Sequence, residues 1–209
     1  MDPRDWALQQ TCPTVVVPKF GALDPMPEGG HRLLVAADGL WLEVRRPWLH
    51  VRVALARQTI FNVPYGEVSP LTELAFGQVP PLLKQRFLAE AQAALPNEHA
   101  AWLVWDERQA SLGYQSLQAI KRGPSTIQYH RPHLAESESL AVDIHSHGHL
   151  PAFFSRTDNE DDCGAYKLAI VVGSFGSDEL SVAMRLCLGG WFIALPTAPI
   201  TAKEWLCDT

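Results

Sequence analysis

At 209 residues, with 47% apolar and 19% charged side chains, the chain is long enough for one main core plus an appendage. Its formal net charge is −6 and it has no run of Lys or Arg to track phosphates, so a direct nucleic-acid partner is not expected. The opening MDPRDWALQQTCP carries acid and proline where a signal peptide needs a basic and then an apolar stretch, and runs such as LAIVV are too short to span a bilayer, so the expectation is a cytoplasmic protein without membrane attachment.

Residues 1–76 read as β-rich and irregular. TVVVPKF is a short strand candidate, and HRLLVAADGLWLEVRR holds two apolar runs joined by Asp38-Gly39, a turn pair suited to a hairpin. HVRVALA and TIFNV continue in that style, and Pro64, Gly66, Pro70 and Pro80-Pro81 punctuate the passage to a second region, 77–209. There PLLKQRFLAEAQAALP sets Leu83, Phe87, Ala91 and Ala94 on one face, with Lys84, Gln85, Glu90 and Gln92 mostly elsewhere, predicting an amphipathic helix over 81–95 that Pro96 ends. EHAAWLVWDE is a strand candidate, a glycine-punctuated hairpin or loop region follows, and LAVDIHSHG is the next strand. YKLAIVVGSFG and LSVAMRLCLGGWFIAL supply two or three more, so the order of elements predicts an α/β sheet with helices packed on it.

The four cysteines, Cys12, Cys163, Cys187 and Cys207, form no Cys-x-x-Cys pair, which argues against a disulfide framework or an all-cysteine metal site. Cys163 is read as a small buried residue, although it stands five positions after Asp158.

The chemistry concentrates in AVDIHSHGHLPAFFSRTDNEDD. Side chains alternate along a strand, so Ala141, Asp143, His145 and His147 share one face and Val142, Ile144 and Ser146 the other. Two imidazoles on one face can hold one cation, and zinc accepts imidazole nitrogen at about 2.0–2.1 Å and carboxylate oxygen at about 2.0–2.2 Å, so Asp158 would complete a three-donor set with a fourth position open. Ser155-x-x-Asp158 also reads as a capping box, a reading compatible with ligation because a helix starting there would present Asp158 rigidly. His149 is a rival third donor, and Glu160, Asp161 and Asp162 read as a solvated first helical turn. Hydrolysis would need a general base from another element, and Glu98, between a helix and an apolar strand, is the best candidate.

Together these residues resemble the JAB/MPN metalloprotease family, whose zinc signature is an upstream Glu, then His-Ser/Thr-His, often Pro, then Ser-x-x-Asp. The resemblance covers about residues 80–195, with Pro96-Asn97-Glu98 in the slot of the family's Pro-x-Glu. It implies an α/β sandwich related to the cytidine-deaminase fold, Zn2+ held by His145, His147 and Asp158, Glu98 as proton shuttle and Ser155 as oxyanion stabiliser. The chain departs from the pattern at Gly148, where the family usually has proline, and at Ala101 and Trp105, where it has glycine.

The β-rich N-terminal segment and HSHGHLPAFFSRTDNEDD look more like the PRTRC system protein A branch of bacteria and their plasmids than the eukaryotic deubiquitinases. That branch implies a ubiquitin-like protein as substrate and a ThiF/E1-like protein as a cassette partner. The resulting expectation is a zinc metallo-isopeptidase or peptidase, JAMM-type; the alternative is a non-catalytic binding or scaffold module on the same fold. A zinc nucleobase deaminase would need His-x-Glu and a downstream Pro-Cys-x-x-Cys, and neither occurs.

Overall fold

The computed structural model describes residues 2–27, 29–58, 60 and 63–207, which fall into two compact units, Met1–Gly77 and Gln78–Thr209. No described helix is long and apolar enough to cross a membrane.

The first unit begins with a helix that the sequence reading missed, α1 (Pro3–Thr11), capped by the Asp2 carboxylate on the Arg4 N–H and started by proline at its first position. A five-stranded sheet follows in the order of the chain: β1 (Thr14–Val16), β2 (His31–Ala36), β3 (Gly39–Arg46), β4 (Leu49–Arg57) and β5 (Leu71–Leu74). β1 is parallel to β2 and the rest are antiparallel, with Asp38-Gly39 at the β2–β3 turn. Gly39 has φ +139°, and a Cβ there would lie 2.1 Å from the Ala56 carbonyl oxygen, so only glycine fits. Of the TIFNV segment, residues 59, 61 and 62 lie outside the described residues.

Trp41, Leu34, Ala36 and Val17 build one apolar cluster of this unit. On β3, Glu43 is buried, held by Arg32 at 2.7 Å, Arg52 at 2.6 Å and His50 at 3.1 Å. Burial alone would raise the Glu43 carboxyl, but the hydrogen bonds from Arg32, Arg52 and His50 outweigh it and hold the group below its ordinary range.

The second unit opens with α2 (Pro81–Ala94), which buries Phe87 and Ala91. It also buries Lys84, contrary to the polar-face expectation, because Nζ donates to the Trp205 carbonyl at 2.6 Å while the stem lies in the interior. Trp205 belongs to α4 (Ala202–Cys207). Next come β6 (Ala100–Asp106), β7 (Ser111–Ser116) and a separate ribbon of β8 (Ala119–Gly123) and β9 (Thr126–Tyr129). After them run β10 (Glu138–Ser146), α3 (Arg156–Asp162), β11 (Tyr166–Gly173), β12 (Ser181–Leu188) and β13 (Trp191–Leu195).

These strands form one six-stranded sheet ordered β13-β12-β11-β10-β6-β7, antiparallel except for β10 and β11. A parallel pair needs a crossover, and α3 lies within it. The central strands read as continuous apolar runs because both their faces are covered: Ala100–Trp105 and Leu168–Gly173 are buried throughout. This is a mixed α/β architecture with a β-rich N-terminal part.

Candidate metal centre

The site lies at the carboxyl end of β10, where its last residues meet the loop into α3. A bulge between Leu140 and Val142 leaves Ala141 without a partner on β6 and resets the alternation. Leu140, opposite Val104, therefore shares the face of Asp143, opposite Trp102, and His145, opposite Ala100; the sequence expectation had put Ala141 there. β10 ends at Ser146, and His147 follows in a segment still tied to β11 by its N–H on the Val172 carbonyl at 2.9 Å.

The two imidazoles approach through Nε2 atoms 3.3 Å apart, and His145 Nε2 lies 3.7 Å from Asp158 Oδ1. All three donor atoms lie within 4.8 Å of one another. Two nitrogens on a tetrahedral zinc at the usual bond length would stand about 3.3 Å apart, so the histidine spacing fits that ion. His147 Nδ1 sits 3.2 Å from the Pro151 carbonyl, which can only accept, so this nitrogen carries the proton and Nε2 presents its lone pair. Burial lowers the His145 pKa against the opposing pull of Asp158 and Asp143, favouring the neutral form that ligates. Phe153 stands edge-on to His147 with ring centroids 4.6 Å apart, restricting its rotation.

Asp158 divides its oxygens between structure and site. Oδ2 accepts the Ser155 N–H at 2.6 Å while Ser155 Oγ accepts the Asp158 N–H at 3.2 Å, a complete capping box. Oδ1 is the oxygen turned to His145. The Ser155 hydroxyl, with its acceptor side on the helix, still has a proton to donate into the cavity it lines.

Glu98 lines that same cavity with His145, His147, Ser155 and Asp158. It is only 5% exposed, and burial, with the Asp158 charge adding to it, pushes its carboxyl up to about 7. Backbone bonds fix its place: Glu98 N–H donates to the Gly123 carbonyl at 3.0 Å, His99 N–H donates to Ser146 Oγ at 2.9 Å, and Ser146 N–H returns to the His99 carbonyl at 2.8 Å. Ser146, on the opposite face from the histidines, thus stitches the Glu98 segment to their strand. Gly148 has φ +54°, and a Cβ there would come 3.1 Å from the Pro96 carbonyl, so glycine lets the histidine loop lie against the loop leading to Glu98.

Other expectations are corrected. His149 leaves the donor set: it is exposed, with Nδ1 2.6 Å from the Phe175 carbonyl. Cys163 is exposed rather than buried, since it caps the short α3 at the surface. Glu160 and Asp161 are exposed as expected, but Asp162 is 4% exposed and ion-paired to Lys167 and Arg185 at 2.6 Å each. Sequence reasoning missed this trio, and the available signal was a lone cation inside each of two apolar strands, YKLAIVVG and SVAMRLCL. Trp105 is buried within β6, so the bulk at this family-glycine position is absorbed by the core.

An α/β domain with a two-histidine, one-carboxylate donor set at the end of a parallel strand pair is the class that fold and site define. Residues 80–187, just over half the chain, match the family described as prokaryotic homologs of the JAB domain, and the chain belongs to that family. Residues 2–75 match a domain of unknown function, DUF2016. No curated protein matches the chain. The solution structure of protein DSY2949 from Desulfitobacterium hafniense is similar with a TM-score of 0.41 and 14% identity, over 56% of this chain and 87% of that chain.

Proposed function

We propose that the protein is a zinc-dependent metallo-isopeptidase or peptidase of JAMM type that processes or removes a ubiquitin-like protein. The observation that carries this reading is one cavity collecting three metal-type donors and a separate buried carboxyl group raised to about 7. Scaffolding alone requires neither. His145, His147 and Asp158 would hold the ion, which when bound supplies the Lewis acidity that makes water deprotonation feasible near neutral pH.

The protein's own groups divide the remaining work. Glu98, its carboxyl lining the cavity beside the three donors, takes a proton from water on one carboxylate oxygen and delivers it to the departing amine nitrogen. The water oxygen bonds to the carbonyl carbon as the C–N bond breaks. Ser155 donates a hydrogen bond from its hydroxyl to the carbonyl oxygen as charge develops there. Leu150, Phe153 and Phe154 give the cavity an apolar wall on which an extended peptide can lie.

The similarity to the PRTRC branch supports a ubiquitin-like substrate and a ThiF/E1-like partner, in a bacterial cytoplasm. The test is cleavage of a fusion to the ubiquitin-like protein that the PRTRC resemblance implies in the same cassette, with zinc content measured in parallel. About one zinc per chain is expected. Glu98→Gln is expected to keep the metal and lose cleavage. Full activity in that variant would remove Glu98 from the mechanism, and a zinc-loaded wild type that binds the modifier without cleaving it would favour a scaffold.

A further inference from the structure

Helix α3 has seven residues and carries the Asp158 donor, yet a helix so short has little stability of its own. Its placement must come from tertiary contacts, and one side chain makes three of them. Arg185, buried on β12, touches the segment around Asp158 at three places. Its guanidinium carbon stacks 3.9 Å from the Phe154 ring centroid, just before the helix cap. NH1 donates to Asn159 Oδ1 at 2.5 Å, in the middle of the helix. NH2 donates to Asp162 Oδ2 at 2.6 Å, at its end. The same guanidinium carbon lies over the Phe192 ring of β13, 4.1 Å from its centroid.

The sheet register explains why the fork reaches the helix. Asp143, Ala169 and Arg185 are adjacent across β10, β11 and β12, and the small Ala169 between the two charged residues leaves room above it. Two positions along β11 from Ala169, Lys167 joins Asp162 Oδ1 at 2.6 Å to Asp143 Oδ2 at 2.5 Å. Asp143 is two residues before His145 on the same face of β10, and Asp162 is one turn after Asp158 on the same face of α3. A closed loop therefore runs from His145 through Asp143, Lys167 and Asp162 to Asp158, with Arg185 bracing its helical side. The connecting charges cancel, Asp143 and Asp162 against Lys167 and Arg185, so these four add no net charge and act by fixing distance.

We propose that Arg185 is a positioning residue for the candidate metal centre, holding Phe154–Asp162 against the sheet so that the Asp158 carboxylate stays beside the two imidazoles, a role that presupposes the metal reading of His145, His147 and Asp158. The task needs arginine: a planar fork can hold two acceptors while its carbon lies over two aromatic rings, whereas a lysine ammonium keeps the charge without that geometry.

The test measures metal affinity by chelator competition, and the visible absorption of the Co2+-loaded full-length protein, in wild type, Arg185→Lys, Asn159→Ala and Asp158→Ala. Arg185→Lys retains the positive charge opposite Asp162, and Asn159 is exposed, so Asn159→Ala gives a second variant in which only one prong of the fork is lost. Loss of an outer support for a ligand typically weakens metal binding about 10- to 100-fold. Arg185→Lys is expected in that range with a changed Co2+ spectrum, and Asn159→Ala is expected to show a smaller loss in the same direction, both with wild-type near-UV circular dichroism. Wild-type affinity and spectrum in both variants, alongside a large loss in Asp158→Ala, would overturn the role of Arg185 and leave the metal reading standing. Absence of uptake by wild type, or wild-type affinity in Asp158→Ala, would overturn the metal reading and this role with it.

Discussion

Glu98 should cost the metal-free protein stability, and Glu98→Gln should recover it. The carboxyl sits 5% exposed with a pKa of about 7 against an ordinary 4.5, because burial and the neighbouring Asp158 both disfavour its charged form. Between those two values the folded protein holds a proton that the unfolded chain has released, so stability falls as pH rises from 4.5 through 7 and the whole penalty is in place above. At about 1.4 kcal/mol for each pH unit, the penalty is about 3 kcal/mol. Glutamine has nearly the same shape and no charge, so at pH 8 the EDTA-treated variant should exceed wild type by about 3 kcal/mol, while at pH 4.5 the two should nearly coincide. In urea titrations a gain of that size moves the midpoint upward by about 1–3 M. A gap independent of pH, or one that grows as pH falls, would refute the reasoning. A stabilised variant that no longer cleaves would be the trade expected of a group strained for its task.

Ser155→Ala removes the oxygen that caps α3 and should lower the stability of the second unit by about 1 kcal/mol, read by thermal melting, while reducing turnover more than substrate binding. Gly148→Pro restores the residue usual in the family yet cannot take φ +54°; it should cost about 1–3 kcal/mol and weaken zinc retention, measured by metal analysis after dialysis. In the first unit, Glu43→Gln leaves Arg32 and Arg52 without their counter-charge and should destabilise by about 3–5 kcal/mol in chemical denaturation. Because the folded Glu43 pKa lies below its unfolded value, its contribution is present above the unfolded pKa and is lost as pH falls through the folded one; acid titration of wild type should show this loss and Glu43→Gln should lack it.

The clustering of His145, His147 and Asp158 was legible because its determinants are local. His145 and His147 obey the strand period, and Ser155 and Asp158 obey the capping-box spacing, rules that hold within a few residues. Glu98 was legible in part from its place between a helix and an apolar strand and more firmly through resemblance, since nothing in its own neighbourhood says that it faces residues almost fifty positions away. The interior charges were illegible for the opposite reason: Asp162 ends an acidic run that looks solvated, and only the register of three strands reveals Lys167 and Arg185 beneath it. Lys84 misled in the same way, because a partner carbonyl on α4 decides its burial. α1 went unread because its amphipathic pattern is weak and it buries no residue, leaving Asp2 and Pro3 as the only signals.

The pairing of β6 with β10 separates what can vary from what cannot. Ala100 lies opposite His145, so the ladder fixes Glu98 against the histidines, while residues 107–137 depart from the end of β6 and return at the start of β10. That excursion contains β7 and the β8–β9 ribbon, whose Ser125, Thr126, Ile127 and Tyr129 form one wall of the cavity. Doubling a flexible loop adds only about 0.6 kcal/mol of closure entropy. Insertions and exchanges in its turns can remodel what the cavity admits at small thermodynamic cost, while the separation of Glu98 from the histidines stays under the control of the β6–β10 ladder and of the Gly123 carbonyl that holds the Glu98 N–H.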